Sequence, residues 1–272
     1  MVESLTIIVK KRRQAAIKRY LEEQGVEGWW LETGGERLAF LPQNIHSERL
    51  LAEVVLALIW LEEERRLLTW AEDSVFTLDD RWERVKWQQR VRKRCLEEAT
   101  TLFRAVRRDL RALNWQKPVL DIAGFTAFAA RSLRRQMAAF GREEWLAYQD
   151  EKERLEFAAI LESFVRMQEP VVAQADVLWQ AGDFEVRDEK GCDLKKIYET
   201  SLLLEHMEDP EDISGEDLLL SILITVVPAK LIIHGDGARE ALSMVALVFD
   251  DRIHWCSGCE LCRKKNFWTP LT

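Results

Sequence analysis

The spacing of apolar positions changes period several times along the chain, and each change predicts a new element. Leu5 to Val9 is a short continuous apolar run, the pattern of a buried strand. Lys11 to Gln24 alternates by three and four, with Ile17, Tyr20 and Leu21 turned inward, and closes at Gly25. Trp29-Trp30-Leu31-Glu32 and Arg37-Leu38-Ala39-Phe40-Leu41 flank Thr33-Gly34-Gly35-Glu36, a hairpin signature ended by Pro42. From Ser47, an N-cap residue, a helix is predicted to about Asp73. Its Leu50, Leu51, Val54, Val55, Leu58, Ile59 and Leu61 cover most of the circumference, so other elements should enclose it. A second helix starts at about Leu78 or Asp79, with Leu96, Ala99, Phe103, Val106, Leu110 and Leu113 on one face. After a break at Asn114 to Pro118, two more helices are expected, Leu120 to Phe140 and Glu143 to Gln168. The latter carries Phe157, Ile160, Leu161, Phe164 and Val165 as one stripe.

Beyond Pro170 the period shortens to that of antiparallel strands, Ala175 to Gln180 and Asp183 to Asp188, with turns at Ala181-Gly182 and Lys190-Gly191. Lys195 to Met207 returns to helix, and Glu208 to Glu211 is an acidic loop. Ser214-Gly215-Glu216-Asp217 resembles a capping box ahead of a buried helix, Asp217 to Val227, halted by Pro228. A strand to His234, a helix from Arg239 to Asp250 and a strand over Ile253 to Trp255 close the pattern. The fold class expected is α+β in three parts: residues 1–42 with a strand, a helix and a hairpin; a helical block over 43–168; and a C-terminal strand and helix region over 169–272. This division leaves it open for the first strand to share the C-terminal sheet. No period of about 20–50 residues recurs in the block, which argues against a solenoid.

Composition narrows the class. With 272 residues and 47% apolar content the chain can bury a core without disulfides. Its longest apolar runs, Leu50 to Leu61 and Leu218 to Val227, fall short of the roughly 20 residues that span a bilayer. The apolar start at Leu5 to Val9 precedes the charges Lys10 to Arg13, the reverse of a secretory signal, so a cytoplasmic protein is expected. The net charge of −8 argues against nucleic acid as a partner of the whole chain. Charge is uneven, however: Arg81 to Leu113 holds 11 Lys and Arg against 4 acids, and Glu199 to Asp217 holds 8 acids and no Lys or Arg. Arg104, Arg107, Arg108 and Arg111 could meet phosphates, but no reader motif accompanies them, which favours a solvated or protein-facing side.

Five cysteines, three of them in Cys256-Ser257-Gly258-Cys259-Glu260-Leu261-Cys262, suit a reducing compartment and a metal or thiol site. If the strands ending at His234 and Trp255 are parallel neighbours joined by the intervening helix, both end on one sheet edge, where ligands collect in open α/β sheets. Cys256, Cys259, Cys262 and His234 then form a Cys3His set suited to zinc, with His254, two residues before Cys256, as the rival fourth ligand. An iron–sulfur cluster is the alternative, although Asn266 and Phe267 stand where a ferredoxin run has Cys-Pro. A Cys-x-x-C redox pair is a third possibility. Cys95 and Cys192 are expected to be packing residues. His234-Gly235-Asp236-Gly237-Ala238-Arg239 has the outline of a phosphate-binding turn, but Glu240 occupies the third glycine position and Asp236 would repel an anion. No P-loop, H-E-x-x-H or G-x-S-x-G motif occurs, and no acid pair is arranged for acid–base work, so the chemistry leans away from an enzyme.

The last 60 residues carry a resemblance. Glu216-Asp217-Leu218-Leu219-Leu220-Ser221-Ile222-Leu223-Ile224-Thr225-Val226-Val227-Pro228, Leu231-Ile232-Ile233-His234, Val248-Phe249-Asp250-Asp251-Arg252 and the Cys256 to Cys262 cluster resemble the YtxC-like family of sporulation proteins. The resemblance implies an endospore-forming bacterium, a cytosolic protein and a sporulation association. It implies no activity, cofactor or catalytic residue. The expectation is a noncatalytic interaction or regulatory protein with an unidentified protein partner, and a thiol or iron–sulfur redox protein is the alternative.

Overall fold

The opening apolar run forms β1 (Thr6–Lys10), followed by a 3-10 turn and α1 (Gln14–Glu23). The glycine pair joins β2 (Gly28–Glu32) to β3 (Arg37–Pro42). The computed structural model describes residues 5–75, 81–113, 118–180, 183–196, 214–235, 238–260 and 262. These fall in two compact units, Met1–Asp150 and Glu151–Thr272. Mostly helical, with two small mixed sheets, the fold is α+β.

In the first unit, Ser47 caps α2 (Glu48–Glu72) by accepting the Leu50 N–H at 3.0 Å. The helix is buried around most of its first half, as its apolar run predicts. The next helical stretch is divided at Glu98, whose φ of −101° and ψ of 25° separate α3 (Arg81–Glu97) from α4 (Ala99–Arg111). That break rotates the apolar face: Cys95, Leu102, Val106 and Leu110 are buried, and Leu96, expected inward, is exposed. The expected start at Leu78 or Asp79 and the break at Asn114 to Lys117 lie outside the described residues.

The expected helix from Leu120 begins instead as β4 (Val119–Asp121), then a single turn, α5 (Ile122–Gly124), and a π-helical turn over Phe125–Ala129. β4 lies parallel to β1, with Ile7 opposite Leu120, in a sheet ordered β2-β3-β1-β4. The first strand therefore pairs with β3 and β4 and does not share the C-terminal sheet. α6 (Arg131–Met167) is one helix where two were expected, and it runs straight through Gly141. A Cβ on Gly141 would lie 2.3 Å from the Ala71 carbonyl oxygen, so this glycine lets α6 approach α2 and marks no helix end. Asp109 on α4 holds the start of α6, its carboxylate accepting the Ser132 and Leu133 N–H groups at 2.9 and 3.0 Å.

One buried acid gives the first unit a pH dependence. Glu62 is 7% exposed, and burial, the nearest acids adding to it, pushes its carboxyl up from 4.5 to about 7. The unfolded chain releases this proton at lower pH than the fold does, so stability falls as pH rises through that window. Glu62→Gln is expected to gain on the order of 3 kcal/mol relative to wild type between about pH 4.5 and pH 8, read from denaturant midpoints.

In the second unit β5 (Val172–Gln180) pairs antiparallel with β6 (Asp183–Asp188) and parallel with β7 (Pro228–His234), and β8 (Ile253–Trp255) lies parallel to β7. The order is β6-β5-β7-β8. The Ser214 hydroxyl caps α7 (Gly215–Val226), accepting the Asp217 N–H at 3.1 Å, and Val227 ends it in the left-handed region with φ 36°. The helix between β7 and β8 is broken into α8 (Ala238–Ala241) and α9 (Ser243–Val248), with a 3-10 turn at Asp250–Arg252. The N–H of Met244 on α9 donates to Glu216 Oε1 of α7 at 2.6 Å, a long-range cap that periodicity does not reveal. The expected α6 stripe divides: Val165 is buried with this unit's core, as is Ala158 outside the stripe, and Leu161 packs on it, whereas Phe157, Ile160 and Phe164 are exposed. The turn expected at Ala181-Gly182, most of the helix expected over Lys195 to Met207 and the expected acidic loop lie outside the described residues.

Candidate metal centre

Parallel pairing brings the ends of β7 and β8 to one edge of the sheet. Ile233 lies opposite Trp255, and the Cys256 N–H donates to the Ile233 carbonyl at 2.8 Å, so the ladder runs up to the first cysteine. His234 is therefore the last residue of its strand as Cys256 is the first after its own. Gly235 follows His234 with φ +124°, and a Cβ there would stand 2.1 Å from the Trp179 carbonyl oxygen. Gly235→Ala is expected to cost about 1–3 kcal/mol in the second unit and to loosen His234, measured by denaturation and by histidine NMR shifts.

The chain then folds back. Gly258, at φ +113°, donates its N–H to the Cys256 sulfur at 3.4 Å, which carries the backbone around the first thiol. The Cys256 and Cys262 sulfurs are 3.7 Å apart, and those of Cys259 and Cys262 are 3.8 Å apart. His234 Nδ1 is 3.4 Å from both the Cys259 and Cys262 sulfurs. All four donor atoms lie within 4.8 Å of one another, and this group could hold a metal ion.

These spacings have a physical meaning. A tetrahedral ion with metal–sulfur bonds of about 2.3 Å and a metal–nitrogen bond of about 2.0–2.1 Å sets its sulfurs about 3.8 Å apart and sulfur to nitrogen about 3.6 Å apart. Four of the six edges, those at Cys262 and that between Cys259 and His234, lie close to these values, so the donor set fits a single ion. Burial pushes the Cys262 thiol above its ordinary range, and the neighbouring Cys256 and Cys259 thiols add to this. A cation at this point would reverse that preference for Cys262.

His234 is held from behind. Its Nε2 lies 3.1 Å from Asp176 Oδ1 on β5, with the ring 4% and the carboxylate 16% exposed. Gln174 Nε2 donates to the other Asp176 oxygen at 2.9 Å. With Nε2–H donating to the carboxylate, the Nδ1 lone pair faces the sulfurs, the arrangement that supports metal-binding histidines. Sequence reasoning missed Asp176. The signal lay in its period, an acid amid the alternating apolar positions of β5 on the face shared with Ile232 and His234, but the pairing that brings it there joins residues 58 apart.

His254 stands apart from the group. It faces Ile232, one rung back from the edge, is exposed, and its Nδ1 lies 3.2 Å from the Arg252 carbonyl oxygen. Two residues of strand measure roughly 6.6 Å, which separates this ring from the cysteine turn. Cys95 is buried near Met137, as a packing residue should be, whereas Cys192 is exposed, contrary to expectation, with its N–H bound to Asp188. Asp236 and Gly237 of the glycine turn lie outside the described residues. On the basic face, Arg107 and Arg111 both bind Glu48, and Arg111 foremost holds that carboxyl down at about 2. Two of the four arginines considered for phosphate contact are thus already paired, and Arg104 and Arg108 are exposed. No helix among the described residues is long and apolar enough to cross a membrane.

A model described as the YtxC-like family matches residues 51–254, most of the chain. The match includes His234 and Asp176 and stops two residues before Cys256, so the cysteine geometry is an observation separate from it. No curated protein and no solved structure matches.

Proposed function

The chain belongs to the YtxC-like family, and we propose that it is a sporulation-associated, cytoplasmic, noncatalytic interaction or regulatory protein whose C-terminal sheet is locked by one zinc ion. The observation that carries this reading is the convergence of three sulfurs and one imidazole nitrogen, four of whose six separations are close to the edges of a tetrahedral zinc site. His234, Cys256, Cys259 and Cys262 would supply the four ligands, filling the coordination of zinc and leaving no position for a substrate, as in structural sites. Zinc would contribute electrostatic and covalent stabilisation of the thiolates. The chain's own part is to set the imidazole tautomer through Asp176 and to aim the thiols through the turn at Gly258.

What zinc would stabilise follows from the topology. β8 is three residues long and sits at the edge of its sheet, a strand too short to be secure by its ladder alone. Cross-linking the residues that follow it to the end of β7 would fix that edge and present the surface around it to a protein partner. An iron–sulfur or thiol redox centre on the same cysteines remains the second reading. Donor atoms all within 4.8 Å favour a single ion over a cluster of several irons, which would hold its ligands farther apart.

Metal analysis of anaerobically purified full-length protein, with its absorption spectrum, separates the two. About one zinc per chain and no visible absorption is the expected result, since zinc has no redox or d-electron transitions. Stoichiometric iron with a broad brown absorption would replace this reading with the iron–sulfur one.

A further inference from the structure

A second polar site lies in the first unit, far in sequence from the cysteines. α2 is interrupted at Glu63, where φ is −124° and ψ 18°, in the stretch Leu61-Glu62-Glu63-Glu64-Arg65-Arg66, which holds neither proline nor glycine. The interruption turns two consecutive acids inward, Glu62 at 7% and Glu63 at 6% exposure. An open pocket of about 360 Å³ is lined there by Lys10, Arg12, Glu62, Glu63, Arg65 and Arg66. That volume is within the range of small-molecule sites, roughly 300–1,000 Å³.

The two acids are not equivalent. Glu63 is neutralised by Lys10 Nζ and by Arg66 at 3.6 Å. Glu62 accepts only the Lys10 backbone N–H, at 2.7 Å, and its Oε2 has no hydrogen-bond partner among the described residues. An unpaired buried polar atom is costly and seldom left without a purpose. On the rim, Arg12 and Arg65 are exposed and make no ion pair among the described residues. Four cations thus surround two acids, one of which already has its partners.

We propose that this pocket binds a small oxyanion group, a phosphate ester or a carboxylate, gripped by Arg12 and Arg65, with Glu62 in its neutral acid form beneath them. Guanidinium forks match both oxyanions with paired donors. An ionised Glu62 would repel such a ligand, whereas a protonated one leaves the arginines unopposed. The groups facing Glu62 are Lys10 of β1, Glu63 of α2 and Asp121 of β4, and burial holds its proton to about pH 7. Anion binding and proton uptake are therefore linked, and affinity rises as pH falls through neutrality.

Titration calorimetry of the full chain with sulfate, a dianion whose charge does not change near neutrality, tests this, with succinate as the carboxylate arm. Binding of either at about pH 6 is expected, at least about tenfold weaker at pH 8, with proton uptake near pH 7 seen by comparing buffers of different ionisation enthalpy. Tighter sulfate points to a phosphate ester and tighter succinate to a carboxylate. Arg12→Gln with Arg65→Gln, both on the surface, should lose at least about tenfold affinity. Glu62→Gln should still bind but lose the pH dependence. No binding of either anion at millimolar concentration, or binding indifferent to the arginine pair, would overturn the site. Wild-type affinity equal at the two pH values would overturn the role of Glu62.

Discussion

Cys262→Ser is expected to abolish stoichiometric zinc and to unfold the C-terminal edge of the second unit. Cys262 is the hub of the cluster, 1% exposed, with its sulfur 3.4–3.8 Å from His234 Nδ1 and both other sulfurs. A serine hydroxyl there is a poor zinc ligand, and the metal would also lose its most shielded position. Zinc-finger peptides owe about 10–16 kcal/mol of apparent binding energy to complete four-ligand sets, and that energy is folding energy. Loss of one ligand should therefore exceed the roughly 10–100-fold effect of losing a supporting contact. Zinc per chain after gel filtration, and hydrogen exchange over β8, measure the two consequences. Cys192→Ser is the control, since Cys192 is exposed and outside the group, and it should change neither. His234→Ala should behave like Cys262→Ser, and His254→Ala like the control. Equal zinc retention in all four variants would remove the cluster from the account.

Asp176→Asn carries the second largest effect. The substitution keeps shape and leaves an acceptor for the His234 Nε2–H, but removes the charge that makes the imidazole a better donor to metal. Zinc affinity, measured by competition with a chromophoric chelator, should fall by about 10–100-fold, or about 1.4–2.7 kcal/mol. The metal-free protein should unfold at nearly the same denaturant concentration as metal-free wild type, because the shape of the site is unchanged. A variant that binds zinc as tightly as wild type would mean that Asp176 serves β5 alone.

What the sequence disclosed follows from distance along the chain. Ser47 and Ser214 cap their helices through the backbone three residues on, and the hairpin at Gly34-Gly35 closes on its neighbours, so local rules sufficed. The parallel edge at His234 and Cys256 was legible because a strand, a helix and a strand in succession constrain one another. The misses are contacts made across long separations and single irregular residues within helices. β4 stands where periodicity predicts helix, because its three residues carry no period of their own and are held by β1, more than 100 positions earlier. Two helices are expected where α6 runs through Gly141, because the reason for that glycine, the backbone of Ala71, lies on another helix. Leu96 was placed inward because one irregular residue, Glu98, shifts the helical phase beyond it. The interruption at Glu63, with the buried acids it creates, left no mark in a run of charged residues that reads as a solvated helix face.

X-ray absorption at the zinc edge on the purified full chain bears most directly on the centre. Three sulfurs at about 2.3 Å and one nitrogen at about 2.0–2.1 Å should make up the first shell. A shell of oxygen and nitrogen only, or a chain that retains no metal when isolated without chelators, would contradict a centre built by His234, Cys256, Cys259 and Cys262.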